Sequence, residues 1–165
     1  MNDGLTIRRA AEPDVSAILE IYAGARDFMR ENGNPQQWGD SYPPFEVVQF
    51  DASAEGQGFV CAREDEIVAA FCFYLGTDPD YAVIDGAWLN DEPYGSLHRL
   101  AVKQGGKGVG RFCLDWAFEQ CGNLRADTHR NNAPMLHLLE RLGFSRCGMV
   151  WIRGGEERIA FQKLG

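Results

Sequence analysis

Apolar positions recur at alternating or helical spacing along most of the chain, and clusters of Gly, Pro, Asn and Asp separate the runs. Residues 5–9 predict a short strand. Pro13 suits a helix start, and Ile18, Ile21, Tyr22, Ala25 and Met29 share one helical face until Asn32-Gly33-Asn34-Pro35 breaks it. Residues 36–44, polar and aromatic, predict a loop, and residues 45–51 a second short helix. Residues 58–62 and 67–75 are β-prone and flank the charged turn Arg63-Glu64-Asp65-Glu66, which predicts an antiparallel pair. Residues 77–80 and 90–93 are turns, and the ambiguous stretch 81–88 between them is read as a brief strand. Then follow a strand over 94–102, a helix over 107–121, a strand over 123–129 and a helix over 131–142 stopped by Gly143. A closing hairpin, 147–153 and 158–164, turns across Gly154-Gly155.

This order, with a helix between strands 97–102 and 123–129, makes those two strands parallel members of a mixed sheet. No repeat, low-complexity tract or linker interrupts the pattern, so residues 1–165 predict a single α/β (α+β) domain: a mixed central sheet flanked by about four helices.

Composition changes the picture mainly by exclusion. Apolar residues make up 45% and charged residues 24%, the balance of a globular protein. No run is long enough for a membrane span, and Met1-Asn2-Asp3-Gly4 lacks the basic, apolar character of a signal sequence, so a cytoplasmic location is expected. Net charge is −8 with no dense Lys/Arg cluster, which argues against nucleic acid and would suit a cationic substrate. The five cysteines include no Cys-x-x-Cys pair and read as reduced, packed thiols. His98, His129 and His137 lack metal-ligand spacing, so no metal is expected.

The strongest chemical signal is Leu100-Ala101-Val102-Lys103-Gln104-Gly105-Gly106-Lys107-Gly108-Val109-Gly110-Arg111, a strand that passes through four glycines into a helix start. N–H groups at a helix start lack internal partners and carry the positive end of the dipole, so they suit an anion. The ATP-type phosphate loop fails, because Gly108 follows Lys107 where Ser or Thr should bind magnesium. The dinucleotide fingerprint also fails, its third glycine falling on Arg111. What remains is Gly-x-x-Gly-x-Gly from Gly105 to Gly110. Read alone, it could equally be a simple glycine turn.

A second motif decides between these. Asn132-Ala133-Pro134-Met135, followed by Leu138-Leu139-Glu140-Arg141-Leu142-Gly143-Phe144, lies at the right separation after the loop. Together the two segments resemble the GNAT acyltransferase superfamily over residues 97–164, while residues 1–96 match only in element order. Gly105 stands where the family usually has Gln or Arg. The resemblance implies acetyl-CoA as cosubstrate, with its diphosphate on Gly105, Gly106, Lys107, Gly108, Val109, Gly110 and Arg111. Its pantetheine arm would lie between splayed parallel strands along Leu100, Ala101 and Val102. Asn132 would hydrogen-bond that arm, although it would also serve as an ordinary helix cap. A backbone N–H such as that of Leu100 would stabilise charge developing on the thioester oxygen.

Two residues fall at positions the resemblance marks as bases. His98, in His-x-Leu-Ala-Val, matches a catalytic histidine of arylalkylamine N-acetyltransferases. Asp127, five residues before Asn132, matches a catalytic Glu position of ribosomal-protein N-terminal acetyltransferases. Each also has a plain structural reading, His98 as a hydrogen-bonded sheet residue and Asp127 as a turn-fixing group. Where many members carry a proton-donating Tyr, this chain has Leu139, which cannot donate. Tyr81, Tyr94 and His129 are the alternative donors. Trp38 and Tyr42, with Tyr81 and Tyr94, are candidates for the substrate wall, and Glu31, Asp40, Asp80 and Asp85 for cation binding. The expected activity is acetyl transfer to a small amine or an amino terminus by direct attack in a ternary complex, and a homodimer would be in keeping with many relatives. The alternatives are a CoA-binding sensor or structural domain without catalysis, which Leu139 favours, and a nucleotide-binding enzyme, which the failed motifs oppose.

Overall fold

The computed structural model describes residues 4–165; Met1 to Asp3, part of the N-terminal sequence considered above, lie outside the described residues. Eight strands form one mixed sheet: β1 (Leu5–Arg9), β2 (Gly58–Arg63), β3 (Glu66–Leu75), β4 (Asp85–Gly86), β5 (Gly95–Val102), β6 (Asn123–Thr128), β7 (Ser145–Ile152) and β8 (Glu156–Leu164). Their spatial order is β1-β2-β3-β5-β6-β8-β7-β4. Among the described residues four helices cover the faces: α1 (Val15–Glu31), α2 (Phe45–Asp51), α3 (Val109–Cys121) and α4 (Ala133–Arg141).

The period-2 alternation of the strands sorts side chains to two cores. Ala69, Phe71 and Phe73 of β3 face α3 and α4 with Cys113, Leu114, Ala117 and Leu139. Ala70, between them, faces α1 and α2 with Ile18, Tyr22 and Val48. Trp116 of α3 fills the first core, its ring centroid 5.1 to 5.8 Å from Phe59, Phe71 and Phe73.

The element order matches the sequence reading, and the differences have local causes. A 3-10 turn at Glu12–Asp14 precedes α1, where Asp14 accepts the Ala11 N–H at 2.8 Å. Helix α3 begins at Val109 rather than 107, because Gly108 takes a left-handed conformation (φ 78°) and ends the loop there. Asn132 caps α4 through its Oδ1 and Met135 N–H at 3.2 Å, so that helix begins at Ala133 rather than 131. Residues 81–88 give no continuous strand: Pro79–Tyr81 is a 3-10 turn, and only Asp85–Gly86 pairs with β7. The closing hairpin is longer than predicted, since pairing starts at Ser145 and Glu156.

Two features of β5 shape the rest. Its parallel pairing with β6 is confined to Gly95–Leu124 and Ser96–Arg125, so the strands part beyond Ser96. On its other side, Arg99 and Leu100 together oppose the single residue Phe71 of β3, a β-bulge. Arg99 sits in the left-handed region (φ 53°), a strained place for a side chain. The surroundings hold it there. Tyr22 Oη donates to the Arg99 carbonyl at 3.1 Å, and the Arg99 guanidinium donates to both Asp51 oxygens at 2.9 Å.

Candidate active site

The parting of β5 and β6 opens two adjoining cavities. The first, about 680 Å³, is lined by Leu100, Ala101 and Val102, the loop from Lys103 to Lys107, Gly110, α1 residues including Met29, and the start of α4. The second, about 350 Å³, lies toward the other end of β5 and holds His98 and Asp127. Leu100, Met29, Asn132 and Met135 line both, so one space leads into the other.

The glycine loop is tight. Gly106 N–H donates to Lys103 O, Lys107 N–H to Gly105 O and Val109 N–H to Gly106 O. Those three amides are therefore engaged within the turn. Gln104, Gly105, Gly108, Gly110 and Arg111 have no backbone acceptor for their amides among the described residues, and these are the donors left for an anion. Three of the five, Gly108, Gly110 and Arg111, sit at the start of α3. Val109 offers no donor, since its N–H is engaged and its side chain is fully buried, and Arg111 is exposed beside Asp115 at 3.6 Å. A Cβ on Gly106 would stand 2.9 Å from Lys103 O and from Val102 Cγ1. Gly106→Ala should thus displace the loop and weaken CoA binding by about tenfold or more, a loss of about 1.4 kcal/mol by calorimetry.

His98 is built into a relay of side chains. Its Nε2 lies 2.6 Å from Asp78 Oδ2, and its Nδ1 lies 3.8 Å from Asp127 Oδ2. Burial pushes the Asp78 carboxyl up, but the hydrogen bond and charge of His98 outweigh it and hold the group below its usual range. Asp78 is thus an ionised acceptor, which places the ring proton on Nε2 and leaves the Nδ1 lone pair facing Asp127. Asp127 is held in turn by Tyr81 Oη at 2.6 Å. Asp80 also lines this cavity, its carboxyl raised by burial and by the charge of Asp78.

The loop carrying Asp78 is fixed from outside the cavity. Tyr94 Oη accepts the Asp78 N–H at 2.8 Å. The Tyr94 ring packs on the buried Arg125 guanidinium at 3.8 Å, which has Trp88 at 4.1 Å on another side and donates to Asn90 O.

The candidate substrate residues divide. Trp38 and Tyr42 line the His98 cavity, Trp38 edge-on to both Tyr22 and Tyr42. Tyr81 and Tyr94 do not line it and instead position Asp127 and Asp78. Burial and then the Asp127 charge push the Tyr81 phenol well above its usual range, which makes it a poor acid. His129 lines a different cavity and accepts the Asn131 N–H at 3.0 Å. Leu139 is fully buried at the cavity floor, and the phenols lining that cavity are Tyr42 and Tyr74. Glu31, Asp40 and Asp85 stand away from it, Asp40 beside Arg30 at 3.4 Å. Asn132 lines both cavities, but its Oδ1 is engaged in the cap and its Nδ2 donates to Gln37 Oε1 at 3.0 Å.

Asp78 itself was missed in the sequence, where it reads only as part of a turn; so were the Arg99–Asp51 pair, Arg153 and Arg158. Burial pushes the Cys72 thiol up to about 12, so the cysteine nearest the bulge is a protonated packing group. Among the described residues, no three His, Cys, Asp or Glu side chains are grouped to hold a metal, and no helix is long and apolar enough to cross a membrane.

A parted parallel pair, a glycine loop at a helix start and a cluster of ionisable side chains beyond the opening thus share one continuous cleft. Residues 19–144 match the acetyltransferase (GNAT) family, and the chain belongs to that family. Its fold is similar to a GNAT-family acetyltransferase of Streptococcus agalactiae, 29% identical, with TM-score 0.87 over 98% of this chain and 96% of that one. It also resembles a ribosomal-protein-alanine N-acetyltransferase of Brucella melitensis, 21% identical, TM-score 0.66, over 97% and 99% of the two chains. A third similar structure is yncA from Salmonella typhimurium, solved with its cofactor acetyl-CoA, 19% identical, TM-score 0.63, over 98% and 95%. No curated protein matches the sequence. As a member of this family the protein is an acetyl-CoA-dependent acetyltransferase.

The cleft suits that cosubstrate. A side chain on Gly106 would strike the loop's own backbone and Val102, and the β5 edge beyond Ser96 has no β6 partner, leaving ladder groups for an amide-bearing arm.

Proposed function

We propose that the protein acetylates a primary amine directly, with His98 Nδ1 as the base. The carrying observation is that His98, held by Asp78, lines the acceptor cavity, which joins the cofactor cleft at Leu100, two residues further along β5. When bound, acetyl-CoA supplies an activated acetyl thioester; Gly108, Gly110 and Arg111 amides hold its diphosphate, and Leu100, Ala101, Val102 and Asn132 flank its arm.

The acceptor enters as an ammonium attracted by Asp127 and Asp80. His98 Nδ1 removes its proton, and the imidazolium that results is stabilised by Asp78. The base matters because an amine of pKa near 10 is free in only about one molecule in a thousand at neutral pH, a cost of about 4 kcal/mol. The amide of Leu100, on the bulge, is the donor we assign to the developing oxyanion, in a place held rigid by the Arg99–Asp51 pair. With Leu139 in place of a phenol, Tyr42 and Tyr74 are the cavity hydroxyls left to protonate a departing thiolate.

Thiol release measured over a panel of primary amines tests this reading. Turnover well above the rate of acetyl-CoA hydrolysis, for at least one small amine, is expected. Tight CoA binding with hydrolysis-level release for every amine would favour a non-catalytic CoA-binding domain instead.

A further inference from the structure

Two cations in the His98 cavity have no part in the chemistry above. Arg153 stands at the turn of the closing hairpin and Arg158 on β8, and both line that cavity. They share their partners. Arg158 reaches Glu156 Oε1 at 3.1 Å and Arg153 reaches the same oxygen at 3.5 Å. Both also donate to the Gln37 carbonyl, at 2.8 and 3.2 Å. Two guanidiniums thus face one carboxylate, which is itself 44% exposed, whereas the Arg158 side chain is 2% exposed. Arg99, the third guanidinium of the cavity, is already paired with Asp51, its Nη2 donating to both carboxylate oxygens. Among the described residues Glu156 is the one carboxylate in contact with Arg153 and Arg158, while Asp80 and Asp127 act on them only through space. Burial, the largest influence on Arg158, holds that guanidinium below its ordinary range.

Donors remain as well. Arg158 uses three acceptors, Glu157 O, Gln37 O and Glu156 Oε1, against the five N–H groups of a guanidinium. Arg153 adopts a left-handed backbone (φ 37°), and its guanidinium lies 3.8 Å from the centroid of the Tyr42 ring, another wall of the cavity. A strained residue held over a cavity marks a position the fold fixes at some cost. The cavity thus carries both signs, with Asp78, Asp80 and Asp127 among its lining beside His98 and an arginine pair that shares one contacting carboxylate. In a chain of net charge −8, such a local cationic pair is what would admit an anionic group at all.

We propose that Arg153 and Arg158 bind a carboxylate of the acceptor, so that the substrate is a small molecule of amino-acid type, carrying amine and carboxylate together, rather than a plain amine or polyamine. This rests on the reading of the His98 cavity as the acceptor site. Paired guanidinium donors match carboxylate geometry, and a volume of about 350 Å³ suits a ligand of this size.

The test is calorimetry on the full chain saturated with CoA, using matched pairs that differ only in the carboxylate: L-leucine and isopentylamine, L-phenylalanine and phenethylamine, 4-aminobutyrate and propylamine, with spermidine as polycation. In at least one pair the amino acid should bind about 10–100-fold more tightly than its amine, the worth of a charge-assisted contact. Arg153→Gln, at an exposed turn, should shrink that ratio to about threefold or less. Arg158→Lys, which keeps the buried charge but loses the planar fork, should also shrink it. Equal or tighter binding of the amine in every pair, no binding of either member of any pair, or a ratio untouched by Arg153→Gln would each overturn the proposal. Thiol release run alongside separates the two readings. Amines acetylated without carboxylate preference sink this inference and leave direct transfer standing. Amino acids bound with the predicted preference but never acetylated sink direct transfer and leave the anion subsite standing.

Discussion

Replacing His98 with alanine should lower kcat/KM for the acceptor by about 10²–10⁴-fold, the usual worth of a positioned base. Affinity for CoA should change little, because the cofactor cleft does not include the His98 ring. In the variant the rate should climb with pH toward the amine's own ionisation, which then limits the supply of free base. His98→Gln, which can still reach Asp78, should be as slow as the alanine variant, separating proton transfer from packing. A loss under about fivefold would move the base away from His98, with Asp127 next to be tested.

Breaking the Arg99–Asp51 pair should have the largest effect on stability. The two side chains are 15% and 9% exposed, and each Asp51 oxygen accepts from Arg99 at 2.9 Å. Asp51→Ala leaves a guanidinium without its counter-charge in a largely buried setting, with only Cys72 Sγ at 2.9 Å and Tyr42 Oη at 3.4 Å as remaining partners. The expected cost is about 3–5 kcal/mol by chemical denaturation, a large share of the roughly 5–15 kcal/mol that holds a domain of this kind. It should also loosen the bulge, since Arg99 keeps its left-handed backbone only while both its carbonyl and its guanidinium are held. Activity in the folded fraction should therefore fall too. A loss below about 1 kcal/mol would show that the bulge keeps its shape without the pair.

The difference between these two sites bears on what a sequence can reveal. His98 and the glycine loop were legible because their meaning is local: a strand, a tight turn and a helix start follow one another within a few residues. Asn132 and Gly143 were legible for the same reason, as start and stop of one helix. Asp78 was not, because it lies 20 residues from His98 in the chain and reaches it only after the β3–β5 pairing folds its loop back. Arg99 and Asp51 lie 48 residues apart, and nothing in either neighbourhood signals the other. Tyr81 and Tyr94 looked like pocket aromatics by residue type. Burial of Tyr81 against Asp127 and the stacking of Tyr94 on Arg125 turn both into supports for acidic groups. The short pairing of β4 defeated any pattern, since two residues cannot show a period.

The glycine loop carries a similar lesson. The resemblance implied a diphosphate held all along Gly105 to Arg111, yet the turn engages the amides of Gly106, Lys107 and Val109 internally. What the spacing encodes is a turn tight enough to present α3's first free amides, with Gly106 absent of side chain so that the turn can close on Lys103 O and Val102.

A crystal structure of the protein with CoA and a bound amino-acid acceptor tests the central claim most directly. The account predicts the diphosphate on the amides of Gly108, Gly110 and Arg111, the pantetheine arm in the gap between β5 and β6, and the acceptor nitrogen at His98 Nδ1. A cofactor seated outside that gap, or an acceptor whose nitrogen lies away from His98 and Asp127, would contradict it.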